Sequence, residues 1–160
     1  MNSNKKYKAG FTLIELLAVI VVLAIVMLIA ANAVLPRMAD ARKQVFSIEA
    51  NAAIQSAQTY YINGNITNNG DVLPVGDNVK CVTIKTLREK GFYTGDIDYK
   101  GYILVKRVGE IYQYAVSMTN GNLQVSNAGL GDDVTSNEVN DGSTPTDTCP
   151  TPLNWPGATS

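Results

Sequence analysis

Apolar positions along this chain change their spacing from one region to the next, and each change marks an element. From Phe11 to Leu35, 22 of 25 residues are apolar, the exceptions being Thr12, Glu15 and Asn32. Leu16 to Ala31 is unbroken, sixteen residues without a polar side chain. At about 1.5 Å per residue the whole run makes about 37 Å of helix, enough to cross roughly 30 Å of hydrocarbon with some tilt. The spacing then becomes that of an amphipathic helix. Phe46, Ala50, Ala53, Ala57 and Tyr61 recur at steps of 4, 3, 4 and 4, with Val45, Ile48 and Ala52 beside them, as one apolar stripe. Residues 37–61 contain neither Gly nor Pro, and Asn63-Gly64 is the expected C-terminal stop. A single helix over about 11–61, roughly 75 Å long, is therefore predicted. Pro36 lacks an N–H and leaves the Asn32 carbonyl without its usual partner, so a kink is expected there.

After a loop at 63–80, rich in Asn and Gly, the pattern shortens. Thr83–Lys90 reads as a short helix with Ile84 and Leu87 inward and Gly91 as its C-cap; a strand over Lys80–Ile84 is the alternative. Gly101–Arg107 and Glu110–Met118 alternate as strands around a Val108-Gly109 turn, with Tyr112, Tyr114, Val116 and Met118 on one face against the helix. Asn120-Gly121 signals a second turn, leading to a third strand at about Asn122–Ser126. The fold class expected is α+β, a long helix with its second half packed on a small antiparallel meander. The same tyrosines, if exposed, would make a stacking surface for single-stranded DNA. Core packing is the commoner use of alternating aromatics.

Composition sharpens this division. Across all 160 residues the 46% hydrophobic content and the formal charge of −1 suggest an ordinary soluble domain. Yet only 48 of the 125 residues from Pro36 onward are apolar. One membrane-entering segment is joined to one small polar head. With no histidine in the chain, triads that depend on it, His metal sites and a histidine pH switch are excluded. Neither a basic excess for nucleic acid nor a phosphate-binding loop is present, and no nucleophile constellation points to an enzyme. From Asp132 to Ser160 there are five acids and no base. This tail is expected to be a long surface loop held near its end by Cys149, with Trp155 tucked back. Asp132, Asp133, Glu138 and Asp141 form a candidate Ca²⁺ site by ligand chemistry, although their spacing matches no EF-hand. Asn65-Ile66-Thr67 matches the glycosylation sequon.

The N-terminus carries the most specific chemistry. Lys5, Lys6 and Lys8 precede the apolar run with no acid among them, which leaves this stub in the cytoplasm and the head outside. Glu15 is an acid inside a membrane-length segment, a functional-site hypothesis by default. The run Gly10-Phe11-Thr12-Leu13-Ile14-Glu15, behind a short basic leader and ahead of an uncharged stretch, resembles the class III signal of type IV pilins and the related type II secretion pseudopilins. The resemblance extends from Lys5 to about Tyr61. It implies that a prepilin peptidase cuts after Gly10 and that Phe11 becomes the N-methylated first residue. Cleavage creates an α-ammonium on Phe11, one helical turn from Glu15. In a packed apolar bundle a lone carboxylate is costly and a paired one tolerable, so Glu15 of one subunit is expected to pair with Phe11 of a neighbour and set their register. A competing reading is a secretory signal peptide cut after Ala33, within Ala31-Asn32-Ala33.

The organisation expected is thus a leader at 1–10, a transmembrane and filament-core helix at 11–35, an amphipathic helix at 36–62, and a head at 63–160. The resemblance implies a pilin-like fold and a structural subunit without cofactor or enzymatic activity. It would be a membrane precursor first and part of an extracellular pilus afterwards. The implied partners are copies of itself in a helical homopolymer, prepilin peptidase, an assembly platform with its ATPase, the cytoplasmic membrane, and a surface or DNA ligand used in adhesion, motility or uptake. The alternative within the family is a pseudopilin of type II secretion or of a competence system, some of which carry a calcium-binding C-terminal loop. The resemblance also offers a hinge reading for Pro36, since pilin helices often carry a breaker in this region. Arg37, Arg42 and Lys43 just beyond it face either neighbouring acids or solvent. In a head carried out of the cytoplasm, Cys81 and Cys149 are expected to form a disulfide, two free thiols being the alternative. Closing that loop of about 69 residues would stabilise by roughly 4 kcal/mol at most. Removing residues 1–10 leaves 10 basic against 14 acidic side chains, a charge of −4 for the mature chain.

Overall fold

A computed structural model describes residues 11–67 and 71–157, and of residues 32–36 the backbone alone. Gly10, the leader and Asn68-Asn69-Gly70 lie outside the described residues, as do the side chains of Ala33 and Pro36. The chain forms two compact units, Met1–Ala39 and Asp40–Ser160. The helix α1, Leu13–Thr67, contributes to both.

In the first unit, Leu13–Ala31 is long and apolar enough to cross a membrane. Its 19 residues have a mean hydropathy of 3.2, and none of this span is buried within the protein. A core helix of a soluble domain would have its apolar side chains covered. Here Leu16, Ile20, Leu23 and Met27 all stand exposed. The backbone is helical through Pro36.

In the second unit α1 buries Phe46, Ala50, Ala53, Ile54, Ala57, Tyr60 and Tyr61 against the sheet. Phe46, whose ring centroid lies 5.6 Å from that of Tyr99, and Tyr61 are the largest fully buried side chains of this stripe. Val45 and Ile48 do not belong to this stripe, being 57% and 66% exposed. At about 100° per residue they fall on the far side of the helix from Phe46 and Ala50. The expected stop at Asn63-Gly64 is also overturned, because α1 runs on to Thr67. Gly64 is there for close approach: a Cβ on it would collide with the backbone carbonyl of Asp71. Asn65 Oδ1 accepts from the Leu73 N–H at 3.2 Å, so the last turn holds the returning chain instead of ending at the glycine. The asparagine of the sequon is engaged in this way.

The sheet has five strands in sequence order, every pair antiparallel. β1 is Val79–Thr83, and α2, Ile84–Glu89, follows at once. Both readings of this stretch therefore hold in part. Thr83 caps α2 by accepting from the Thr86 N–H, Ile84 and Leu87 are buried, and Gly91 takes φ +78° just past the end. β2, Lys100–Val108, and β3, Ile111–Thr119, form the expected hairpin. Because Val108 pairs with Ile111, the turn residues are Gly109 and Glu110, one position later than predicted. Tyr114, Val116 and Met118 are buried in the core with Ile103 and Val105, and Tyr112 packs at its edge. β4, Leu123–Ala128, carries one extra residue opposite β3, with Asn127 at φ +54° donating its N–H to Ser117 Oγ. That bulge carried no signal in the hydrophobic pattern.

The acidic tail is more ordered than a surface loop. A 3-10 turn at Ser136–Glu138 leads into β5, Asn140–Asp141, which pairs with β4. Val134 and Val139 are buried, at 3% and 1% exposure. Two isolated valines in an otherwise polar stretch help to anchor it, and Asn51 on α1 brackets the Val134 backbone with two hydrogen bonds. Trp155 is half-buried.

Candidate assembly site

The helix N-terminus organises the site. The first turn of any helix leaves backbone N–H groups without partners, and a Thr followed three residues later by Glu supplies them reciprocally. Thr12 and Glu15 have that spacing. The Glu15 N–H bonds to Thr12 Oγ1 at 3.3 Å, while Glu15 Oε2 accepts from the Thr12 N–H at 2.8 Å and from Thr12 Oγ1 at 2.9 Å. Both of these bonds use Oε2, and among the described residues Oε1 has no hydrogen-bond partner. The carboxylate is held at the positive end of the helix dipole. Phe11, the expected new N-terminus, is 90% exposed one turn away. Thr12 was not singled out from the sequence, although the T-x-x-E spacing was its signal.

The remaining predicted positions divide clearly. Cys81 and Cys149 are bonded, with Cα atoms 6.0 Å apart, joining β1 to the end of the tail. The four candidate calcium ligands do not gather, and among the described residues no three acidic, Cys or His side chains form a group able to hold a metal. Glu138 instead accepts from Thr135 N–H and Oγ1, at 2.7 and 3.0 Å, capping its own 3-10 turn. Asp132 and Asp133 border a polar cleft with Asn51, Tyr112 and Gly131. Arg37 and Arg42 are exposed and Lys43 half-buried.

Of the two strand tyrosines read as a stacking surface, Tyr114 is buried in the core and Tyr112 is half-buried at its edge; Tyr60, Tyr61, Tyr93 and Tyr99 are buried as well. Burial pushes the Tyr114 hydroxyl up to about 12, with the neighbouring Tyr112 adding to the shift. Tyr61 and Tyr93 are raised further, mainly by burial and then by the charges of Asp71 and Glu49 respectively. Tyr60 donates to Asp71 Oδ2 at 2.9 Å and Tyr93 to Glu49 Oε2 at 3.1 Å.

Residues 5–31 match the family model described as the prokaryotic N-terminal methylation motif. This is the class III signal of type IV pilins and pseudopilins, and the long helix followed by a small antiparallel sheet is consistent with the pilin fold. No curated protein and no solved structure matches the chain.

Proposed function

We propose that the chain is the structural subunit of an extracellular type IV pilus-like filament. The single observation that carries this reading is the capped N-terminal turn. It presents one acid, whose second carboxylate oxygen has no hydrogen-bond partner among the described residues, on an exposed apolar helix one turn from the residue that follows Gly10. Prepilin peptidase hydrolyses the Gly10–Phe11 bond on the cytoplasmic side, and the freed amine of Phe11 is methylated. Thr12 keeps Glu15 Oε2 while Oε1 accepts from the Phe11 ammonium of a neighbouring subunit. Both charges are satisfied at one axial offset only, so the contact selects register as the apolar helices leave lipid and bury against each other. Copies of the chain, the peptidase, and an assembly platform with its ATPase are the partners. The precursor resides in the cytoplasmic membrane and the product outside the cell. The alternative, a pseudopilin of a secretion or DNA-uptake system, shares every step up to assembly. The disulfide-clamped tail favours a surface-exposed pilus.

Two substitutions separate charge from capping. Glu15→Gln keeps an acceptor for Thr12 and loses the charge, whereas Glu15→Ala loses both. Both variants should be processed normally and give no filaments, or short ones, in electron micrographs. Normal filaments from Glu15→Gln would assign the residue to helix capping alone and overturn the docking role.

A further inference from the structure

Where the head begins, α1 and the acidic tail enclose a polar cleft of about 400 Å³, wholly within the second unit. Asp40, Lys43 and Gln44 line it from the helix, and Ser136, Asn137 and Asn140 from the tail. Asp40 and Lys43 stand three residues apart on one helix, where side chains are neighbours, their Cβ atoms about 5–6 Å apart. Yet they do not pair. Among the described residues the ion pairs are Lys85–Glu89 and Lys106–Asp77, on other parts of the head. The side chains of Gln44, Ser136 and Asn137 likewise have no hydrogen-bond partner among the described residues. Glu138 adds no second acid, because its carboxylate caps its own 3-10 turn. The cleft thus offers one cation, one anion and neutral donors, with no aromatic ring in its lining. A ligand that satisfies all of them carries one charge of each sign.

We propose that this cleft binds the phosphoethanolamine headgroup of a membrane phospholipid. The Lys43 ammonium takes the phosphate, with the Gln44 and Asn137 amides and the Ser136 hydroxyl donating beside it. The Asp40 carboxylate accepts from the headgroup ammonium, which lies two carbons from the phosphate oxygen. A choline headgroup has no N–H for Asp40, and its quaternary cation is recognised by aromatic faces that this cleft lacks. A purely anionic headgroup leaves Asp40 facing a phosphate without a cation of its own. The membrane is the source because of the chain itself: only Pro36–Ala39 separates the apolar run from Asp40. The five steps from Leu35 to Asp40 span at most about 18 Å however the two units are arranged. The headgroup layer beyond each face of the hydrocarbon is about 5–7 Å thick, so the first residue of the cleft stays beside it. The inference rests on the membrane-precursor part of the filament reading and adds a ligand for that state. The headgroup is given up as α1 leaves the bilayer, so the cleft serves the subunit before assembly.

The test uses the full chain, leader included, in nanodiscs of phosphatidylcholine with rising fractions of phosphatidylethanolamine. Side-chain amide resonances of Gln44, Asn137 and Asn140 are followed by NMR, and that of Asn51, bonded to Val134, reports an intact head. Saturable shifts at the cleft amides are expected, with Asn51 unmoved. Asp40→Asn and Lys43→Gln should each weaken the response about tenfold or more, the worth of one charge-assisted hydrogen bond. Phosphatidylglycerol in place of phosphatidylethanolamine should not produce it. Equal shifts with phosphatidylglycerol, or an undiminished response in both variants, overturn the site. Glycerophosphoethanolamine in water, added to discs of phosphatidylcholine alone, should be far weaker than the lipid, which the bilayer confines beside the cleft. Equal potency of the soluble group overturns the lipid as its source. No shift in discs that hold the intact chain overturns the cleft's ligand and leaves the precursor reading standing. A chain recovered without its apolar run overturns that reading and the inference with it.

Discussion

Asn51 is one of the points at which sequence-distant parts of the head are tied, and its removal has a calculable consequence. Its Nδ2 donates to the Val134 carbonyl at 3.0 Å and its Oδ1 accepts from the Val134 N–H at 2.8 Å, across 83 residues of chain. Val134 is buried, so Asn51→Ala leaves both backbone groups without partners. Two neutral hydrogen bonds contribute about 0.5–1.5 kcal/mol each, and a stranded buried group costs more. The adjoining cleft of about 420 Å³, lined by Asn51, Gly129 and Asp132 among others, lets water replace part of the loss. A net destabilisation of about 2 kcal/mol follows, and for a head of about 120 residues this lowers Tm by roughly 6–10 °C. Thermal unfolding of the full chain in detergent, followed by near-ultraviolet circular dichroism of the tyrosines, measures it. Asn51→Asp keeps the acceptor but turns a carboxylate oxygen toward the Val134 carbonyl, and should be no better than alanine at neutral pH. A change of under about 0.5 kcal/mol for Asn51→Ala, ordinary for a surface site, would refute the claim that this residue anchors the tail.

Other consequences are as direct. The Cys81→Ser/Cys149→Ser variant, which opens a closure spanning 68 positions, should lose up to about 4 kcal/mol in denaturant titration; an unchanged midpoint would show that the clamp adds nothing to stability. Burial raises the Tyr114 hydroxyl above its ordinary value of 10.0, so its contribution is whole below pH 10 and is lost as pH rises through about 12. Phenolate absorbance should therefore rise late and together with loss of tertiary structure, and complete ionisation of all tyrosines in a still folded head would contradict the packing. Glu15→Gln, processed but unable to build filaments, remains the prediction that isolates charge from capping.

Much of the fold was legible because the hydrophobic spacing reports burial directly. The Phe46–Tyr61 stripe and the alternation in β3 place the same side chains inward in the structure, and the membrane-length run forms a helix with its apolar side chains uncovered. The failures have physical causes. Gly64 looked like a stop, but its missing side chain serves the approach of Asp71, a tertiary demand that no local pattern carries. Val45 and Ile48 looked like core because apolar character alone does not say which face finds a partner within one chain. β5 was invisible because two residues give no period, and its anchoring valines are isolated among acids. At the candidate site, Glu15 stood out as an acid among apolar neighbours, whereas Thr12 passed as an ordinary polar residue at the start of the run. Its role appears only through the bonds to Glu15.

The central claim is that Gly10–Phe11 is the processing site and that the apolar helix stays with the mature protein. Intact mass and N-terminal sequencing of the protein recovered from cells test it most directly. The account predicts a chain beginning at N-methylated Phe11. A chain beginning at Val34, with the apolar segment discarded, would contradict it.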